Sequence, residues 1–195
     1  MDSLDDERKE EESEEESTSD QAEQDDLIDV VNDRDEVIDA QPKKIVREKA
    51  LPHRGVFILL LNKSQQIYVH QRAFQKVELP GIWDIFFGGY VNHQESYWQA
   101  AYRELWEEAG IQAQSLNCLG GFHFQGEKDD WFGRLFLCVS NSPITLQKEE
   151  VEKGMFIPLK DLPQFIAEKQ VKDSSLFAYQ QFKGLMEKVT SNMEP

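Results

Sequence analysis

The sequence predicts an α+β fold, arranged as an α/β/α sandwich, on three observations. Short β-prone runs lie both before and after one uninterrupted helical segment, residues 96–109. That segment holds neither glycine nor proline, is rich in helix formers, and stops at Gly110, a natural C-terminal cap. Two more helical segments, about 160–169 and 174–189, follow the last strand. Strands around one strong helix, with further helices at the end, are the pattern of a sheet covered by helices.

The elements follow in chain order. Residues 1–24 carry one large apolar side chain after Met1, namely Leu4, and cannot bury enough surface to offset the entropy of ordering. They are expected to form a disordered acidic tail ahead of a domain spanning 27–190. Leu27, Ile28, Val30 and Val31, then Val37 and Ile38, flank the polar run Asn32–Asp35 and predict a hairpin. Residues 41–50 suit a short helix. Val56–Leu61 (VFILLL) reads as a buried strand ended by Asn62, Lys63 and Ser64, with Ile67–His70 returning beside it. Pro80 and Gly81 mark a turn. Further strands are expected at 119–124, 135–139 and 154–159. In the last helix Leu176, Tyr179, Phe182, Leu185 and Met186 share a face at helical spacing.

Charge narrows the function classes. The formal net charge of the 195 residues is −16, and residues 1–40 account for all of it, with 19 acidic and 3 basic side chains. The remainder balances at 18 of each, so no basic excess suits a nucleic-acid polymer. No apolar run approaches the ~18 residues of a membrane span, and the acidic N-terminus has the wrong sign for a secretory or mitochondrial signal. The two cysteines, Cys118 and Cys138, lack CxxC spacing. Cys138 sits in an apolar run and is expected as a buried thiol, which fits a reducing, cytoplasmic setting.

The chemistry concentrates in residues 89–111, GYVNHQESYWQAAYRELWEEAGI. On a helix that turns ~100° per residue, Glu104, Glu107 and Glu108 fall at ~0°, ~300° and ~40°, crowding three carboxylates onto one stripe. Like charges so placed call for a cation, and an all-oxygen donor set suits Mg²⁺ or Mn²⁺ over zinc or copper. Tyr97, Ala101 and Leu105 form a separate apolar stripe that can seat the helix on a sheet. Gly88 and Gly89 precede the helix in a loop whose backbone can approach a ligand or metal closely.

The same segment matches G-x5-E-x7-R-E-U-x-E-E-x-G-U, where U is a bulky aliphatic residue. Gly89, Glu95, Arg103, Glu104, Leu105, Glu107, Glu108, Gly110 and Ile111 fill its nine fixed positions. A chance match is below about 10⁻⁷ per window. This motif is the Nudix box, and the chain resembles that family. The resemblance implies a mixed sheet between helices and metal-dependent hydrolysis of a small diphosphate compound. It also implies that Glu104, Glu107 and Glu108 bind the divalent metals and that Arg103 and Glu95 brace the helix against the loop. Gly89 is expected to face the metal through its backbone, and Glu107 is the first choice of proton acceptor. Glu150 stands where many relatives place an extra carboxylate.

The stretches HRGVFILLLN, HQRAFQKVELPGIWD and LIDVVNDRDEVID resemble the Nudix branch related to isopentenyl-diphosphate isomerase. That branch has basic residues where His53, Arg54, Arg72 and Lys76 stand, and Arg54, Arg72 and Lys76 are the expected diphosphate contacts. An isomerase-like activity is therefore one alternative. Against it, the isomerases use a cysteine in WxxxxCGH, and here WDIFFGGY places Gly88 and Tyr90 at the cysteine and histidine positions. A nucleotide-sensing binding module is the other alternative, and the intact box argues against it. Of the aromatics that could stack on a substrate, Trp131, beside the EKDD turn, is the expected pocket rim. Substrate identity and the choice between monomer and homodimer stay open.

Overall fold

The computed structural model describes residues 27–76 and 78–191; the acidic segment 1–24 lies outside the described residues. The first strands are β1 (Leu27–Val31) and β2 (Val37–Pro42), followed by the short helix α1 (Lys43–Glu48). Next come β3 (His53–Leu61), β4 (Gln66–Arg72), the two-residue β5 (Trp83–Asp84) and helix α2 (Tyr97–Ala109). The remainder is β6 (Asn117–Gln125), β7 (Asp130–Val139), β8 (Val151–Pro158), a 3₁₀ turn, α3 (Leu162–Glu168) and α4 (Asp173–Ser191). The expected α+β sandwich is observed. Within the described residues no helix is long and apolar enough to cross a membrane.

The sheet is mixed and centred on β3. Parallel pairing with β7 runs from His53↔Trp131 to Leu61↔Val139 along one edge. The other edge is shared: Val30 pairs with His53, the Phe87–Tyr90 segment bridges Ile58 and Gly55, and Ile67 pairs with Leu61. Every residue from Gly55 to Leu61 is buried, as expected of a strand covered on both faces. Two hairpins close on the same device. Asn32 Oδ1 accepts from the backbone N–H groups of Arg34 and Glu36, and Asn62 Oδ1 accepts from those of Ser64 and Gln66.

Alternation along β3 and β7 splits the core between the two sheet faces. Val56, Ile58, Leu60, Phe136 and Cys138 pack under Ala101, Leu105 and Ala109 of α2. Phe57, Leu59, Leu61, Leu135 and Leu137 pack on the opposite face against Leu162 and Phe165 of α3 and Ala178 and Met186 of α4. Cys138 is a buried free thiol and Cys118 an exposed one. One element escaped the sequence reading. β5 pairs with the end of β4 through His70↔Asp84 and Gln71↔Trp83, and so anchors the segment that inserts beside β3.

Candidate active site

Helix α2 is fixed at both ends. Ser96 accepts from Gln99 N–H at 3.2 Å, and the Gln99 amide oxygen accepts from Ser96 N–H at 2.9 Å, a reciprocal cap. Gly110 closes the helix in the left-handed conformation. Thr145 N–H and Gln147 N–H then take the free carbonyls of Ala109 and Glu108, which brings the segment before β8 to the end of the acidic stripe.

The inserted Phe87–Tyr90 segment forms the floor. Ile58 N–H donates to Phe87 O, and Val56 N–H donates to Gly89 O at 3.0 Å. Gly88 has φ +143°, and a Cβ there would lie 1.9 Å from Val56 O. A Cβ on Gly89 would lie 2.6 Å from Glu104 Oε1. At Gly88 only bare backbone fits against the sheet, and at Gly89 a methyl would have to displace the Glu104 carboxylate.

Arg103 ties this floor to the helix. Its Nε and Nη2 each donate to Glu95 at 2.9 Å, and Nη2 also donates to Tyr90 O at 2.8 Å. Its Nη1 donates to Glu104 Oε1 at 2.7 Å and to Glu107 Oε2 at 3.1 Å. Burial works against the guanidinium charge, but the bonds to Glu95 and Glu104 outweigh it and raise the Arg103 pKa. Glu95 Oε2 also accepts from Asn92 N–H at 3.0 Å.

Glu108 is the most enclosed of the three helix glutamates. It is 6% exposed and accepts one hydrogen bond, from Gly88 N–H at 2.9 Å. Burial raises its pKa, the charge of Glu104 adds to the effect, and the Gly88 bond only partly opposes it. Burial likewise raises the pKa of Glu104, against the pull of Arg103. Glu107 is the open member, with its side chain 46% exposed. Among the described residues no three acidic, imidazole or thiol side chains are already gathered as a ligand cluster, since Arg103 occupies the side of Glu104 and Glu107 that faces it. The donor chemistry nonetheless fits a hard divalent cation. Glu108 is buried and Glu104 half-buried, their enclosure disfavours ionisation, and the bare backbone of Gly89 comes close to the Glu104 carboxylate.

The remaining residues singled out in the sequence fall into two groups. Lys76 forms an ion pair with Glu150, and Glu150 is near enough for its charge to act on Glu108. Arg72 Nη2 donates to Glu78 O at 3.2 Å, while its buried Nε has no partner. Arg54 stands apart from these, in an ion pair with Asp35 whose Nε–Oδ1 distance is 2.6 Å, and over the ring of Tyr97. Tyr97 Oη completes that group by donating toward Asp35 and Phe132 O. Asp35 was not visible as a partner in the sequence, where it reads as one more acid in a turn.

Trp131 corrects an expectation. It is 4% exposed rather than at a rim, because Gly55 on the neighbouring strand leaves the space its ring occupies. It forms a wall of a small pocket on the sheet face opposite α2, together with Phe57, Asp84, Gly88, Gly89 and Lys172. The glycine segment is thus the partition between this pocket and the helix glutamates.

Comparison with known proteins agrees with this geometry. The NUDIX domain family matches residues 51–179. The chain is 37% identical over 132 residues to the uncharacterized Nudix hydrolase PA4841 of Pseudomonas aeruginosa, covering 68% of this chain and 78% of that protein. It is 35% identical over 135 residues to the uncharacterized Nudix hydrolase YfcD of Escherichia coli K12, covering 69% and 75%. Among solved structures, DR0079 of Deinococcus radiodurans superposes with a TM-score of 0.67 at 23% identity, covering 79% of this chain and 98% of that one. The NUDIX domain of Shewanella oneidensis NrtR, solved with ADP ribose, gives 0.57 at 17% identity, covering 69% and 88%.

Proposed function

Because the chain belongs to the Nudix hydrolases, which cleave pyrophosphate bonds of small molecules, we propose that it uses Mg²⁺ or Mn²⁺, held by its box glutamates, to hydrolyse a diphosphate compound. The observation that carries this reading is the pair of enclosed carboxylates, Glu104 half-buried and Glu108 buried, set against a bare Gly88–Gly89 backbone. Glu104, Glu107, Glu108 and the Gly89 carbonyl would hold the ion, with Glu150 as a further oxygen donor. A bound divalent ion would neutralise charge on the phosphate oxygens and acidify the attacking water. In the reaction a water oxygen bonds to phosphorus, the anhydride P–O bond breaks, and a water proton passes to a carboxylate. Glu107 is the assigned acceptor because it is the exposed glutamate of the three. Arg103 and Glu95 hold the helix in register with the glycine floor. Arg54, Arg72 and Lys76 are assigned to the diphosphate, which requires Lys76 to leave Glu150 and Arg54 to turn from Asp35.

Neither cysteine lies in the Gly88–Tyr90 segment, so a thiol-dependent isomerisation has no group there to perform it. The test is a panel of nucleoside triphosphates, dinucleotides, sugar nucleotides and prenyl diphosphates with Mg²⁺, with prenyl diphosphate isomerisation measured alongside. Release of phosphate or a monophosphate from at least one member, abolished by EDTA, is expected. Isomerisation without hydrolysis would replace this reading with the alternative.

A further inference from the structure

Two buried polar atoms at the pocket behind the glycine partition are not used by the reaction above, one on Trp131, which lines the pocket, and one on His53, whose ring packs against Trp131. Trp131 Nε1 and His53 Nε2 both lack a hydrogen-bond partner, although their residues are only 4% and 2% exposed. Native proteins rarely leave such groups unpaired, because an unmade bond in the interior is costly. Their rings lie edge to face, with centroids 4.2 Å apart. Tyr90 stacks on His53, with ring centroids 4.8 Å apart. Lys172 lines the pocket beside Trp131, its ammonium 5.4 Å from the Trp131 ring. Lys172 is held there by backbone pairing, since its N–H donates to Trp83 O at 3.0 Å.

The chemistry of the two atoms differs. An indole N–H only donates. His53 Nδ1 lies 2.7 Å from Leu51 O, and a carbonyl only accepts, so Nδ1 carries the proton. In the neutral ring, which burial favours, Nε2 is then an acceptor. The free space beside Trp131 has room for a single water-sized group. One small group that both accepts and donates is a hydroxyl.

We infer that Trp131 and His53 are specificity-determining residues, binding a hydroxyl of the moiety attached to the diphosphate in the pocket behind Gly88 and Gly89. This rests on the phosphoanhydride reading above for its placement beside the cleaved bond, but its binding chemistry is independent of turnover. The hydroxyl accepts from the indole N–H and donates to His53 Nε2. A hydrocarbon chain satisfies neither atom and is selected against, since a site built to bond a hydroxyl leaves its own groups unpaired with an analogue that lacks one.

The test reads binding without cleavage. The full-length protein, labelled with ¹⁵N and free of metal, is titrated with compounds that have no anhydride bond. These are the four common ribonucleoside monophosphates and glucose 1-phosphate, with dimethylallyl monophosphate as the hydrocarbon comparison. The chain has four tryptophans, so the Trp131 indole resonance is assigned as the one missing from Trp131→Phe, and the other three report whether that variant is folded. At least one hydroxyl-bearing compound is expected to shift this resonance saturably. Trp131→Phe, which keeps the ring and removes the N–H, should weaken that compound roughly fivefold to tenfold, as for one lost hydrogen bond. Dimethylallyl monophosphate should leave the resonance in place. No shift with any hydroxyl-bearing compound, equal affinity in Trp131→Phe, or an equal shift with dimethylallyl monophosphate would overturn the inference and leave the pocket as a site for a structural water. A protein that binds in this assay yet hydrolyses nothing would contradict the proposed function instead.

Discussion

Arg103 grips both oxygens of Glu95, through Nε and Nη2 at 2.9 Å each, across eight residues of sequence. The same guanidinium reaches Tyr90 O, Glu104 and Glu107. One side chain therefore sets the height of α2 over the glycine floor and the direction of two carboxylates.

Arg103→Lys should separate these tasks. A lysine keeps the charge but has no planar fork and cannot serve Glu95, Tyr90 and Glu104 together. We expect a loss of about 1–2 kcal/mol in urea unfolding, the low end of the range for bonds to charged groups because the side chain is 26% exposed. Unchanged stability would mean that Arg103 is not the brace.

Gly88→Ala and Gly89→Ala should differ in kind. At Gly88 the added methyl meets backbone, 1.9 Å from Val56 O, at a φ of +143°. It should destabilise the fold by on the order of 3 kcal/mol. At Gly89 it meets a movable group, Glu104 Oε1 at 2.6 Å. That variant should fold nearly as well and lose roughly tenfold or more of its Mg²⁺-dependent turnover. Thermal unfolding and initial rates on both variants check the contrast.

These glycines mark where the sequence was legible. The box announces a helix with carboxylates on one stripe, and VFILLL announces a strand buried on both faces, because local spacing carries both signals. β5 is two residues long and gave no periodicity. The Lys76–Glu150 pair joins positions 74 apart, and the pocket collects Phe57, Trp131 and Lys172 from three distant segments. Such groupings are set by strand register, above all the parallel alignment of His53 with Trp131, and no spacing rule encodes it.

His70 predicts an acid sensitivity separate from catalysis. It is 3% exposed and stacks on Phe87 with centroids 4.7 Å apart. Burial lowers its pKa from the ordinary 6.5 to about 4. A lowered histidine pKa means that the unfolded chain binds the proton first, so stability is full above pH 6.5 and falls as pH drops toward 4. The loss from this residue should be about 3 kcal/mol over that window. His70→Gln should flatten this part of the stability curve measured by urea unfolding at successive pH values; an unchanged slope would assign it to other groups.

Glu108→Gln tests the ion site through stability. Glutamine can still accept from Gly88 N–H and carries no charge to bury, so the metal-free variant should be at least as stable as the parent. Mg²⁺ or Mn²⁺ should raise the melting temperature of the parent, with EDTA reversing the rise, because a ligand bound only by the folded state stabilises it. The variant should show little of this response. An equal rise in the variant would remove Glu108 from the ion site.

Product release by the parent and Glu107→Gln, followed by ³¹P NMR with Mg²⁺ on the best substrate of the panel, tests whether the box glutamates carry the hydrolysis. Glu107 is 46% exposed at its side chain, so the exchange should leave the fold intact. A loss of roughly 100-fold or more in turnover is expected, at a melting temperature unchanged in the absence of metal. Equal turnover by the variant would contradict it.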